Sequence, residues 1–167
     1  MSKNFIYKYS IKEEIKEIKN YLIKECLDQR NNIDLKKGKD FPVYSKYTNY
    51  LYNIFYNLSC NVLNKFTLKD VDFKLCCYLT DKTFNQTSWH NHITTSSITA
   101  VIYLKTENKG IFFKHNNQEI HLIPNEGDIL IFPSFLDHCP EPSKEKPRIT
   151  LNLELRCKED VLEIFNL

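Results

Sequence analysis

Residues 71–157 break into six short apolar runs separated by turn residues, at 73–79, 98–104, 111–114, 119–123, 129–132 and 149–155. Runs of roughly four to eight residues have strand length and are too short for core helices. Gly110 and Gly127, two of only three glycines, fall between runs where the backbone must turn. Many short strands in series call for an antiparallel barrel or double sheet, which buries their apolar faces and limits the number of open edges.

The preceding segment has a different period. Ile11, Ile15, Ile18, Leu22 and Cys26 recur at steps of three and four, which predicts an amphipathic helix with Ser10 as its N-cap. Residues 31–39, ending near Gly38, read as a loop, and a second helical stripe runs through Tyr47, Leu51, Ile54, Leu58, Val62 and Phe66. Both helices are expected to cover a sheet. The fold class is α+β, mostly β: a double-stranded β-helix (jelly-roll) core over 71–157, with helical support from 1–70 packed on one face. The whole chain, 1–167, reads as a single domain.

Composition excludes several functions. Hydrophobic residues make up 42% and charged residues 26%, ordinary globular usage. Lysines and arginines (23) are interspersed with acidic residues (21), so no electrostatic footprint for nucleic acid appears. The longest apolar stretch, 129–136, contains Pro133 and is too short to cross a bilayer. Six cysteines without a CxxC motif, behind an N-terminus lacking an apolar signal segment, fit reduced thiols in the cytoplasm, or the host cytoplasm for a viral chain. Oligomeric state is left open, a homodimer included.

The chemistry-bearing residues lie in the C-terminal half. Trp89-His90-Asn91-His92 places two histidines on one side of an extended backbone, with Asn91 pointing away. His138 follows several short strands later, far enough for the chain to return beside its starting point. Three imidazoles suit iron, zinc, copper or nickel and leave coordination positions open. Arg148 and Thr150 share one face of the last run, where a guanidinium fork and a hydroxyl suit a carboxylate. His115 and His121 read as solvated or hydrogen-bonded residues.

These residues resemble the Fe(II)/2-oxoglutarate-dependent oxygenases, particularly a group of small members common in bacteria and viruses. The run Ile98-Thr99-Ala100-Val101-Ile102-Tyr103-Leu104-Lys105 is similar to their barrel strand ending in Tyr-Leu. The segment from Pro124 through Gly127-Asp128 to Phe132-Pro133-Ser134, followed by Leu136 and His138, resembles their approach to the distal histidine. Arg148-Ile149-Thr150-Leu151-Asn152 resembles their Arg-Ile-Ser strand. The resemblance implies a non-haem dioxygenase that uses Fe(II), 2-oxoglutarate and O2. Such an enzyme oxidises a C–H bond, usually by hydroxylation, and releases succinate and CO2. His90, His92 and His138 would then be catalytic metal ligands. Arg148 and Thr150 would bind the distal carboxylate of 2-oxoglutarate, and Tyr103 would hydrogen-bond it.

The family pattern is His-x-Asp or His-x-Glu, whereas the second position here is His92. Alternative readings therefore stand beside the first. One is a cupin-like or degenerate module that binds metal without turnover; another is a three-histidine iron dioxygenase that needs no 2-oxo acid. The substrate is read only as a small molecule or a protein side chain, with specificity expected in the loops 82–88, 94–97 and 139–147.

Overall fold

The apolar runs form strands, and their burial follows from what covers each face. The computed structural model describes residues 5–32, 40–69 and 72–167. Its elements run β1 (Tyr7–Ser10), α1 (Lys19–Arg30), β2 (Asp40–Val43), α2 (Thr48–Val62), β3 (Leu75–Thr80), β4 (Ile98–Lys105), β5 (Ile111–His115), β6 (Gln118–Leu122), β7 (Asp128–Pro133), β8 (Asp137–Pro140), β9 (Arg148–Leu155) and α3 (Val161–Ile164). Among the described residues a six-stranded sheet has the order β1-β7-β4-β9-β3-β2, and a three-stranded sheet the order β6-β5-β8. Neighbouring strands pair antiparallel throughout. This is a double-stranded β-helix in which mostly antiparallel sheets carry few helices, the fold class expected.

The central strands are covered on both faces. β7 is buried along its whole length, and β4 is buried up to its last residue. One face meets the small sheet: Phe113 of β5 packs edge-on against Phe132 of β7, ring centroids 5.0 Å apart. Helices supply other cover. α1 buries Leu22 and Cys26 and contacts β2 and β4. α2 buries Leu51, Tyr52 and Phe55, and the Tyr52 ring stacks on Phe73 at 4.4 Å. Each fully buried aliphatic or aromatic side chain of this kind contributes roughly 1.5–3 kcal/mol relative to exposure.

The N-terminal segment departs from the expected helical support. Ser10 is no N-cap: it is the last residue of β1, paired with Asp128. Residues 12–18 are turns, and α1 starts at Lys19 behind Ile18, which makes no side-chain cap bond. Ile11 and Ile15 are nevertheless buried, because the same apolar stripe serves a chain of turns as well as a helix. β1 and β2 are strands of the large sheet within a segment expected to be helical. β1 alternates half-buried and exposed residues over only four positions, and β2 carries Pro42 at the sheet edge, where a missing N–H costs no ladder bond. β8 and the short α3 were not anticipated either. Phe66 lies beyond the end of α2, and Gly38, with most of the expected 31–39 loop, lies outside the described residues.

β9 shows how one strand serves core and site together. Ile149, Leu151, Leu153 and Leu155 are buried in the core, while Arg148, Thr150, Asn152 and Glu154 occupy the alternate positions.

Candidate metal centre

His90 and His138 are held side by side through their backbones. The His90 N–H donates to His138 O at 3.0 Å, and the His138 N–H donates to His90 O at 2.9 Å. The chain thus does return to its starting point, although this is an isolated bridge rather than the regular strand expected for 90–92. His92 is fixed by its N–H to Ser134 O at 2.8 Å, and its own carbonyl starts a turn by accepting from Thr95 and Ser96. Asn91 points away, as expected, and its amide donates to Asp137 Oδ1 at 2.8 Å.

The three rings converge. One nitrogen from each of His90, His92 and His138 lies within 4.8 Å of the others. Each Nδ1 also faces an oxygen acceptor: Ser88 O at 3.0 Å for His90, Leu136 O at 2.9 Å for His138, and Glu154 Oε1 at 2.7 Å for His92. Because an oxygen without a hydrogen must accept, Nδ1 carries the proton in each ring. In a neutral ring so held, Nε2 keeps its lone pair, the form a metal requires. Burial, together with the neighbouring His90 and His92, pushes His138 down to about 3, partly opposed by the Leu136 carbonyl, so it stays neutral near neutral pH. Trp89, beside His90 in the chain, is 38% exposed, with Lys114 Nζ 3.8 Å from its ring centroid.

A second cluster lies behind this one. Arg148 is 1% exposed and spends one donor on Gly110 O at 3.2 Å. Its Nε and Nη1, and the hydroxyl of Tyr103, are buried without a well-formed hydrogen bond, the guanidinium and the phenol touching each other side chain to side chain. Burial lowers the Arg148 pKa, offset in part by Tyr103 and Tyr78, but an arginine remains charged. Burial raises the Tyr103 phenol, which therefore keeps its proton. A charged fork and a phenol with free donors form a receptor for an anion that can accept two or more hydrogen bonds. Arg148, Thr150 and Tyr103 border one narrow void together with His90 and His138. At about 10 Å³ it has room for a single water-sized sphere, so a larger ligand must part its walls.

The sequence motifs account for this placement. Tyr103 faces Thr150 across the β4–β9 pair, just before a register shift between Tyr103 and Lys105. Gly127, at φ 87°, donates its N–H to Tyr103 O at 2.8 Å, and Asp128 accepts from the Asn125 N–H at 2.8 Å to close the turn into β7. Gly110 is required by close approach, since a Cβ there would meet Leu122 O at 2.1 Å.

A larger groove of about 840 Å³ opens in front of His90 and His92. Its walls include Asp40, Tyr52, Phe73, Asn152 and Glu154. His90 and Asn152 border both the groove and the void. Of the loops expected to set specificity, only Thr95 reaches it; the walls come instead from β2, residues 72–76 and the second half of β9. Glu154, unmarked at the sequence level, is signalled by the alternation that runs Arg148, Thr150, Asn152, Glu154. His115 bonds Asn116, and His121 bonds Glu141 at 2.8 Å, so neither joins the centre.

The architecture is shared with known proteins. A Pseudomonas putida prolyl-4-hydroxylase matches with a TM-score of 0.65 at 12% sequence identity, over 95% of each chain. A Trichoplax adhaerens prolyl hydroxylase, solved with a hypoxia inducible factor oxygen degradation domain peptide fragment, matches with a TM-score of 0.62 at 12% identity, over 92% of this chain and 84% of that one. No family model and no curated protein matches the sequence. The chain has the double-stranded β-helix fold of these prolyl hydroxylases, the fold implied by its resemblance to Fe(II)/2-oxoglutarate oxygenases.

Proposed function

We propose that this protein is an Fe(II)- and 2-oxoglutarate-dependent dioxygenase that oxidises, by hydroxylation, a C–H bond of a substrate seated in the groove. The observation that carries the reading is Arg148: a buried guanidinium with two unpaired donors beside an unpaired phenol, in a void that ends at two of three clustered histidines. That is the donor set a dicarboxylate bound next to a metal would need. Two prolyl hydroxylases of the same fold support it.

In this reading His90, His92 and His138 hold iron through Nε2. Arg148 and Thr150 grip the far carboxylate of 2-oxoglutarate, and the Tyr103 hydroxyl donates to it. When bound, iron with the 2-oxo acid and O2 supplies the oxidising power, and the 2-oxo acid leaves as succinate and CO2. The chain's own contribution is binding and orientation. The Nδ1 bonds fix the three rings before metal arrives, and the buried Arg148 charge draws the anion into a space too narrow to retain bulk water. The groove gives the substrate an open approach past His90 and His92. Its volume lies within the range of small-ligand sites, roughly 300–1,000 Å³, and its openness also admits a side chain carried on a polypeptide.

The test is turnover without a known substrate. Protein loaded anaerobically with Fe(II) and 2-oxoglutarate should form succinate after oxygen is admitted, and Arg148→Ala should form none. Metal binding without succinate would leave a binding module. Oxygen consumption independent of the 2-oxo acid would leave a three-histidine dioxygenase of another class.

A further inference from the structure

Three neutral imidazoles leave a divalent ion with two uncompensated positive charges, where two imidazoles and a carboxylate leave one. A carboxylate does stand next to the centre, one residue removed from the ligands. Glu154 ends the polar row of β9, and its Oε1 lies 2.7 Å from His92 Nδ1. The other two rings rest on neutral backbone carbonyls, those of Ser88 and Leu136, so His92 alone is backed by a charge.

The strand is braced at this position. The Glu154 N–H donates to the Tyr52 hydroxyl at 3.1 Å, and that hydroxyl donates to Lys74 O at 2.7 Å. Tyr52 is 2% exposed and comes from α2, so the helix fixes the backbone that presents the carboxylate. The His92 and Glu154 side chains are 18% and 32% exposed, partly shielded from water where they meet.

We propose that Glu154 is a positioning residue that holds His92 as a metal-binding imidazole and returns, from behind the ring, the negative charge that a carboxylate ligand would have supplied directly. The inference rests on the metal reading above. Its physical basis is that a carboxylate accepting Nδ1–H fixes the ring's orientation and tautomer and makes Nε2 a stronger donor to the ion. The departure at His92 is thereby compensated within this chain: the charge is displaced outward by one side chain.

The experiment is a Co(II) titration of the full-length protein against a competing chelator, without 2-oxo acid or oxygen. Glu154→Ala should weaken the site lost in His138→Ala by about 10–100-fold. Glu154→Gln, whose amide oxygen still accepts the bond but carries no charge, should fall between Glu154→Ala and the parent. Unfolding of the metal-free variants should match the parent, because the brace to Tyr52 uses the backbone. In a His92→Asp background Glu154→Gln should cost far less, because the aspartate supplies its charge to the ion directly and has no Nδ1–H for Glu154 to hold. A glutamate acting only on the fold would cost as much in both backgrounds.

Unchanged affinities, or equal losses in both backgrounds, would overturn the role of Glu154 while leaving the metal centre standing. Loss as complete as in His138→Ala would make Glu154 a ligand and overturn it too. If His138→Ala binds Co(II) as the parent does, the metal centre itself falls, and Glu154's role with it.

Discussion

Replacing Arg148 with methionine should make the ligand-free protein more stable and deaf to 2-oxoglutarate. Arg148 is 1% exposed, and its Nε and Nη1 have no well-formed hydrogen bond. Each unpaired buried donor costs about 1–3 kcal/mol. Methionine removes both, together with a buried charge, and keeps an unbranched stem of similar reach. The loss is one hydrogen bond to Gly110 O at 3.2 Å, worth roughly 1.5–3 kcal/mol for a charged donor. Its acceptor is not orphaned, because the Glu141 N–H donates to the same oxygen at 3.0 Å. The balance favours Arg148→Met by about 2 kcal/mol, in line with other buried charges replaced by apolar side chains. For a chain of this size that is a rise in melting temperature of roughly 4–8 °C. Thermal unfolding with and without 2-oxoglutarate, in the presence of Co(II), reads both effects. At a hundred times its dissociation constant the ligand should stabilise the parent by about 2.7 kcal/mol and the variant not at all. A variant that melts below the parent without ligand would make Arg148 a structural residue. A variant that still responds to 2-oxoglutarate would move the anion site elsewhere.

Other substitutions probe the same construction. His138→Ala should abolish metal binding in calorimetric titration, whereas His92→Asp should retain it, since a carboxylate also suits iron. Tyr103→Phe removes an unpaired buried hydroxyl, so unfolding should show unchanged or slightly higher stability while 2-oxoglutarate affinity falls about tenfold, the equivalent of 1.4 kcal/mol. Gly110→Ala forces a Cβ to within 2.1 Å of Leu122 O, and denaturant unfolding should show a loss of about 1–3 kcal/mol. Because Gly110 O anchors Arg148, that variant should also bind 2-oxoglutarate more weakly.

The parts legible in the sequence are those where one period dominates. β9 reads directly, because its apolar and polar residues alternate without interruption from Arg148 to Leu155. The histidines read through their spacing together with the Gly-Asp-apolar-Pro run before His138 and Arg148 after it, even though His90 sits on an isolated bridge and His92 precedes a turn. The N-terminal segment misleads for a physical reason. Ile11, Ile15 and Ile18 keep a helical spacing, but the chain enters from β1, which must pair with β7 before it can turn, so residues 12–18 become turns. β1 and β2 are four residues each, too short for a period to register, and Pro42 argues against a strand until its edge position is known. The Asn116-Asn117 pair between β5 and β6 is a local turn signal: both residues have positive φ, 48° and 61°, as a tight two-residue hairpin requires. Glu154 was hidden differently. The alternation along β9 puts it on the face of Arg148 and Thr150, but its importance appears only when α2 and the histidine cluster are brought to the end of β9.

The most direct test of the oxygenase reading is a crystal structure of the protein grown anaerobically with Fe(II) and 2-oxoglutarate. The account predicts one metal ion touched by Nε2 of His90, His92 and His138, Glu154 still on His92 Nδ1, and the far carboxylate of 2-oxoglutarate on Arg148, Thr150 and Tyr103. An ion bound away from these histidines, or a 2-oxo acid that leaves the donors of Arg148 unpaired, would contradict it.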